Sequence, residues 1–188
     1  MNERAYSTLE IKAAASRGGK RVFSGIASTP TTDHDGDIME PKGAEFDLPM
    51  PLLWHHDSKA PIGWIHSARP TDKGIEVEGE IAQLDEPGTL KSRLDEAWQS
   101  LQLKLVRGLS IGFKGLESSN IKGTFGLHYT RWKWLELSAV TIPANMEANI
   151  ASVKSIDVEH LPPPPPLRIF PMGRGAEKLK GLPIVKLK

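Results

Sequence analysis

The chain contains no cysteine in its 188 residues. This excludes disulfide bonds, thiolate metal sites and a thiol nucleophile, and it leaves Ser, His, Asp, Glu and Lys as the side chains that could carry chemistry. An excess of basic charge is also missing, because 24 Lys and Arg are balanced by 23 Asp and Glu. Nucleic acid is therefore not an expected partner.

Long apolar segments are equally absent. No run approaches the roughly 18 residues of a membrane span, and residues 1–15 are polar and charged, without the apolar stretch of a signal peptide. We therefore expect an intracellular protein with no membrane partner. The apolar fraction of 39%, together with 17 glycines, is that of an ordinary globular protein and predicts one folded domain.

The sharpest change in composition is a run of five prolines at 162–166. Proline cannot donate a backbone hydrogen bond and favours a stiff, extended segment. Residues 158–188 also carry six Lys and Arg against two Glu. We predict a folded domain over residues 1–157, followed at 158–188 by a Pro-rich spacer and a basic C-terminal tail. The tail is either a solvated appendage or a segment that binds a partner or is removed.

Most of the folded region has the pattern of β-strands. Short, often alternating apolar runs are separated by Gly, Pro and Asp clusters, at 22–27, 52–56, 62–66, 75–81, 106–113, 128–134 and 135–142. The exception is 87–105, where apolar residues recur every three or four positions behind a proline, as in an amphipathic helix. The sequence predicts an α+β, β-rich fold, either a sandwich or a barrel, with one clear helix.

The segment Gly108-Leu-Ser-Ile-Gly-Phe113 contains a candidate nucleophile. In a strand, Ser110 would lie on the same face as two glycines, so its hydroxyl would be accessible to another chain crossing the strand. Glycines on a strand also mark a bulge or the close approach of a neighbouring element. Taken alone, the pattern favours this structural explanation over catalysis.

A serine nucleophile needs a base, and the segment Leu52-Leu-Trp-His-His-Asp57 supplies two adjacent histidines. Strand alternation would send His55 and His56 to opposite faces, so only one of them could share a site with Ser110. The alternative without a catalytic function is that both are exposed residues at the end of a strand.

Metal binding has little support in the sequence. His34 and His66 occur at no recognised ligand spacing. The segment Asp33-His-Asp-Gly-Asp37 superficially resembles a calcium loop, but its glycine is fourth rather than sixth and its twelfth residue is Ala44 rather than Glu. We expect no metal and no cofactor.

A third segment, Glu136-Leu-Ser-Ala-Val-Thr-Ile-Pro-Ala-Asn145, places a carboxylate and a hydroxyl on one strand face. One interpretation is a solvated polar face. The other is that Glu136 orients the histidine, holding the tautomer whose free nitrogen accepts the serine proton.

Together these segments resemble one family in chain order. Trp54-His-His-Asp57 with Pro61-Ile-Gly63, then Gly108 to Phe113, then Glu136 to Val140 with Pro143-Ala-Asn145, are similar to motifs of the tailed-phage prohead (capsid maturation) proteases. Earlier segments also resemble the family's N-terminal portion, namely Gly25-Ile-Ala27, 33–37 and Gly43-Ala-Glu-Phe46. The resemblance covers about residues 22–150.

The resemblance implies a β-barrel flanked by a few helices, like that of the distantly similar herpesvirus assemblin serine proteases. It places the base on His56, the nucleophile on Ser110 and the acidic third member on Glu136. Because the histidine is doubled, His55 remains an alternative base. Because the herpesvirus enzymes use a second histidine as third member, His128 is the alternative to Glu136.

The implied function is a serine endopeptidase that matures the phage capsid. Its expected substrates and partners are the major capsid protein with its scaffolding region and the protease itself, which could form a homo-oligomer. The expected location is the host bacterial cytoplasm, inside the immature capsid or prohead. Two alternatives stay open: a noncatalytic capsid-assembly or peptide-binding β-barrel, and a His-based metallohydrolase, which the lack of a metal motif disfavours.

Overall fold

A computed structural model describes residues 10–12 and 19–156 of the chain. The described elements, in chain order, are β1 (Glu10–Lys12), β2 (Lys20–Ile26), β3 (Ile38–Met39), a 3-10 turn (Pro41–Gly43), β4 (Ala44–Glu45), β5 (Met50–Trp54), β6 (Asp57–Thr71), β7 (Gly74–Ile81), α1 (Thr89–Gln102), β8 (Gly108–Asn120), β9 (Leu127–Val140) and β10 (Asn149–Ile156).

Seven of the strands form a closed barrel. Going round the ring, β2 pairs with β7, β7 with β6, β6 with β5, β5 with β9, β9 with β8, β8 with β10, and β10 with β2. All of these pairs are antiparallel except β5 with β9. The seam between β8 and β10 is short, with Gly108 opposite Asn149 and backbone bonds from Leu109 to Ala148 and from Ile150 to Arg107.

The prediction of a β-rich barrel with one clear helix is confirmed, but two strand assignments were wrong. Segments 128–134 and 135–142, predicted as separate strands, form the single strand β9. The seventh barrel strand is β10, which the sequence did not indicate. A bulge between Ile150 and Ser152 shifts the register, so the buried residues Ile150 and Val153 lie three positions apart instead of two.

Helix α1 covers one part of the barrel. It is shorter than the predicted 87–105, and its buried face carries Leu94, Ala97, Trp98 and Leu101. Leu105 falls beyond the helix and is exposed. Arg21 of β2 holds the helix in place, since its Nη2 lies 2.6 Å from Asp95 Oδ1 and its guanidinium lies over the Trp98 ring.

The predicted division at residue 157, the proline run and the basic tail lie outside the described residues, so that division stays a prediction. In the part of the chain that the structure covers, no helix is both long and apolar enough to cross a membrane.

Candidate active site

The two adjacent histidines form the turn of the β5–β6 hairpin. Trp54 pairs with Asp57, and His55 and His56 between them have φ angles of 51° and 59°. Left-handed conformations at both central positions give the turn type whose twist suits a two-residue hairpin, although non-glycine residues adopt it at a cost of about 1–2 kcal/mol each. The expectation that strand alternation separates the two rings was therefore wrong.

The rings are separated by the turn instead. The His55 ring packs edge-on against Trp54, with centroids 4.5 Å apart. The His56 ring lies 44% exposed and lines a cavity of about 310 Å³ that Ser110 also lines. Only His56 thus shares a cavity with the predicted nucleophile.

Strand β9 supplies the partner of His56. Glu136 Oε1 lies 2.9 Å from His56 Nδ1, and the Glu136 side chain is 15% exposed. A carboxylate can only accept a hydrogen bond, so Nδ1 carries the proton and Nε2 of the neutral ring is left as the proton acceptor. This is the orientation that the sequence analysis proposed for Glu136.

Ser138 joins this carboxylate to the histidine turn. Its Oγ donates to Glu136 Oε2 at 2.8 Å and accepts the backbone N–H of His56 at 3.1 Å. The next residue along β9, Ala139, accepts the backbone N–H of His55 at 3.1 Å. Two successive residues of one strand therefore hold the strained turn against it. The Ser138 hydroxyl was visible on the predicted polar face of this strand, but no function was predicted for it.

Ser110 lies on β8, next to β9. The register sets Ser110 opposite Ser138 and Gly112 opposite Glu136. Ser110 is 6% exposed. In the described part of the chain His56 has no hydrogen bond to Ser110, and unliganded sites often hold such pairs more loosely than a complex with substrate does.

The glycines beside Ser110 mark close approaches, as the structural explanation of that motif requires. A Cβ added to Gly112 would lie 2.2 Å from Glu136 Oε1, and one added to Gly108 would lie 2.7 Å from Pro143 Cδ. Gly112 therefore gives the Glu136 carboxylate the space to lie across β8.

Two further described histidines, His128 and His66, lie elsewhere. His128 Nε2 is 3.6 Å from Glu40, His66 Nε2 is 3.8 Å from Glu80, and neither residue lines the cavity of Ser110. Within residues 10–12 and 19–156, no group of three or more His, Asp or Glu is arranged to hold a metal ion.

One wall of the cavity was not predicted from the sequence. Asp33, Asp35 and Asp37 line it together with Ser28 and Asn145. Asn145 Nδ2 donates to the Thr29 carbonyl at 3.0 Å, which ties the two loops together. The acidic residues were considered as calcium ligands and as part of the family resemblance, but not as a wall of the site.

Comparisons with known proteins extend these observations. A sequence model described as caudovirus prohead serine protease matches residues 21–162. The capsid polyprotein of Pseudomonas phage PAJU2 is 53% identical over 188 residues. The match covers 97% of this chain, but this chain spans only 28% of the length of that protein.

More distant relatives include two prohead proteases. The prohead protease of Enterobacteria phage HK97 is 29% identical, and the match covers 81% of this chain and 68% of that protein. The prohead protease of Escherichia phage T5 is 24% identical, and the match covers 76% of this chain and 67% of that protein. Among solved structures, the KSHV protease in complex with a hexapeptide phosphonate inhibitor is 14% identical, with a TM-score of 0.46 over 70% of this chain and 64% of that one.

Proposed function

The chain belongs to the caudovirus prohead serine protease family, and on that premise we propose that it is a serine endopeptidase in which Ser110 is the nucleophile, His56 the base and Glu136 the acidic member. The observation that carries the proposal is the bond of 2.9 Å between His56 Nδ1 and Glu136 Oε1, beside a cavity that His56 and Ser110 both line.

The chemistry is acyl transfer. His56 Nε2 takes the proton of Ser110 Oγ as the oxygen attacks the peptide carbonyl, and the resulting imidazolium gives that proton to the departing amine. The ester left on Ser110 is then hydrolysed by a water that His56 activates in the same way. Glu136 fixes the ring tautomer and stabilises the imidazolium, a function whose loss costs on the order of 10⁴-fold in turnover in a comparable triad.

The proposed substrates are the major capsid protein, cleaved in its scaffolding region, and the protease itself. The names of the relatives, a capsid polyprotein and two prohead proteases, support this assignment. We place the activity in the host bacterial cytoplasm, inside the prohead, where confinement raises the effective concentration of substrate and allows association between copies of the chain. The basic segment from residue 167 onward is a proposed site of self-trimming.

The test is mass spectrometry of the chain co-expressed with its cognate capsid protein. Ser110→Ala and His56→Asn should abolish cleavage. His55→Asn is the matched control, because asparagine tolerates the left-handed conformation at both turn positions and only the His56 ring reaches Glu136.

Three results would contradict the proposal. Loss of cleavage in His55→Asn with normal cleavage in His56→Asn would show that the base is His55 and not His56. Labelling of a serine other than Ser110 by a phosphonofluoridate reagent would show that Ser110 is not the nucleophile. Unchanged binding of the capsid protein by a chain that never cleaves it would favour a noncatalytic peptide-binding barrel.

A further inference from the structure

The cavity beside Ser110 has an acidic wall, formed by the side chains of Asp33, Asp35 and Asp37. All three line the cavity, whereas no Lys or Arg is among its described lining residues. In the part of the chain that the structure describes, no ion pair reaches any of the three carboxylates. Among the described residues, the wall therefore carries negative charge without a cationic partner.

Hydrogen bonds fix the acidic wall in place. Asp33 Oδ1 accepts the backbone N–H groups of Asp35 and Asp37, each at 2.9 Å, and Asp37 Oδ1 accepts that of Leu127 at 2.8 Å. The His34 N–H donates to the Ala144 carbonyl at 3.0 Å. The carboxylates of Asp33 and Asp37 are thus held in position by backbone hydrogen bonds.

The surroundings of Asp33 disfavour its charged form. Burial raises the pKa of the Asp33 carboxyl, the amides of Asp37 and Asp35 oppose that rise, and the charges of the same two residues add to it. A cation bound at the wall would offset both the energetic cost of burying this charge and the repulsion between the carboxylates.

Ser28 is a second, independent observation at the same cavity. It lines the same cavity and is 1% exposed, yet its Oγ has no hydrogen-bond partner among the described residues. A buried hydroxyl without a partner costs roughly 1–3 kcal/mol and calls for an explanation. Its oxygen can accept a hydrogen bond from an ammonium or guanidinium group.

We propose that this acidic wall and Ser28 form the subsite for a Lys or Arg side chain of the substrate, at a residue flanking the scissile bond. The inference rests on the proposed protease function. The aliphatic stem of such a side chain would pack on Met39, Ile111 and Phe113, which line the same cavity. A volume of about 310 Å³ is at the small end of ligand sites and suits one side chain.

The experiment uses the full chain and peptides that span a cleavage site mapped in the capsid protein. At each position flanking the scissile bond, Lys is compared with norleucine, which keeps most of the stem and removes the charge. We expect kcat/KM to favour Lys by roughly 10-fold or more at one position, as a charged hydrogen bond in a partly buried site implies.

Three variants then test the wall itself. Asp33→Asn should lower the Lys-to-norleucine ratio by roughly 10-fold, and Asp35→Asn, at an exposed residue, by roughly 3-fold. Asparagine keeps an oxygen that can accept the loop's amide bonds, and cleavage of the norleucine peptide shows that the site is intact. Asp85→Asn, an exposed aspartate outside the cavity lining, is the control and should leave the ratio unchanged.

The outcomes separate this inference from the function on which it rests. Ser110-dependent cleavage with equal rates for Lys and norleucine, or a ratio that Asp33→Asn leaves unchanged, would overturn the subsite and leave the protease in place. A chain that cleaves neither the capsid protein nor any peptide would overturn both.

Discussion

Replacing Gly112 with alanine should disable the candidate site while the barrel stays folded. The three heavy atoms nearest to a Cβ at this position all belong to Glu136: Oε1 at 2.2 Å, and Cδ and Cγ each at 2.8 Å. Oε1 is also the atom that binds His56 Nδ1. The added methyl group would therefore occupy space that the carboxylate needs to orient the histidine.

The size of the effect follows from these distances. To reach an ordinary contact of 3.4 Å, Oε1 must retreat by about 1.2 Å, and this displaces the acceptor of a 2.9 Å bond. A misplacement of about 1 Å in a catalytic group can cost roughly 10²-fold, so we expect kcat/KM to fall by that factor. Stability should change by less than about 1 kcal/mol, because alanine in place of glycine also restricts the unfolded chain.

The assay is peptide hydrolysis together with urea unfolding, on single and double variants. In a Glu136→Ala background the crowding atoms are gone, so adding Gly112→Ala should cause no further loss of activity. Gly115→Ala is a control on the same strand, since its Cβ would meet the Tyr129 ring at 2.5 Å and not Glu136. Wild-type activity in Gly112→Ala would refute this account of the site. So would a loss of activity on adding Gly112→Ala to Glu136→Ala that is as large as the loss in the wild type.

Three further predictions concern the surroundings of the site. Ser138→Ala should lower kcat roughly 10-fold and stability by about 1–2 kcal/mol, because the amide of His56 and one oxygen of Glu136 lose their partner; normal values of both would contradict it. Because burial raises the pKa of Asp33, folding favours the protonated form of that carboxyl. The resulting contribution to the free energy of unfolding is complete below about pH 3.8, the pKa in the unfolded chain, and is lost as the pH rises through the higher pKa of the folded state. Asp33→Asn should therefore unfold at higher urea than the wild type at pH 7, with the difference vanishing in acid, and a less stable variant at pH 7 would contradict this. Deleting residues 167–188 should reduce incorporation into particles but spare peptide hydrolysis, whereas an intact C-terminus on enzyme from mature particles would contradict self-trimming.

The sequence predicted the class of the fold because alternation and turn residues are local signals. It failed where tertiary contacts override them. Strand β6 runs through Pro61 and Pro70, residues that normally end a strand, so only its 62–66 portion was predicted. Pro61 is tolerated opposite Leu53, next to the register shifts on either side of that residue in β5. The bulge in β10 concealed that strand in the same way.

The site residues were predictable only in part. Alternation and the family resemblance pointed to His56, Ser110 and Glu136, but the contact between His56 and Glu136 depends on β5 lying beside β9, with Leu53 opposite Ser138. No local pattern contains that pairing. The acidic wall is positioned by bonds to Leu127 and Ala144, about 90 and 110 residues away along the chain.

Three departures from local expectation lie around one cavity. The left-handed turn at His55 and His56 and the half-buried carboxylate of Asp33 each oppose folding. The same holds for the Ser28 hydroxyl, which has no hydrogen-bond partner among the described residues. Proteins retain such strain where function requires it and the surrounding structure enforces it. Here β9 holds the turn directly, through Ser138 and Ala139. A change in the pairing of β9 should therefore disturb the histidine before it disturbs the barrel, because both amides of the turn are bonded to β9.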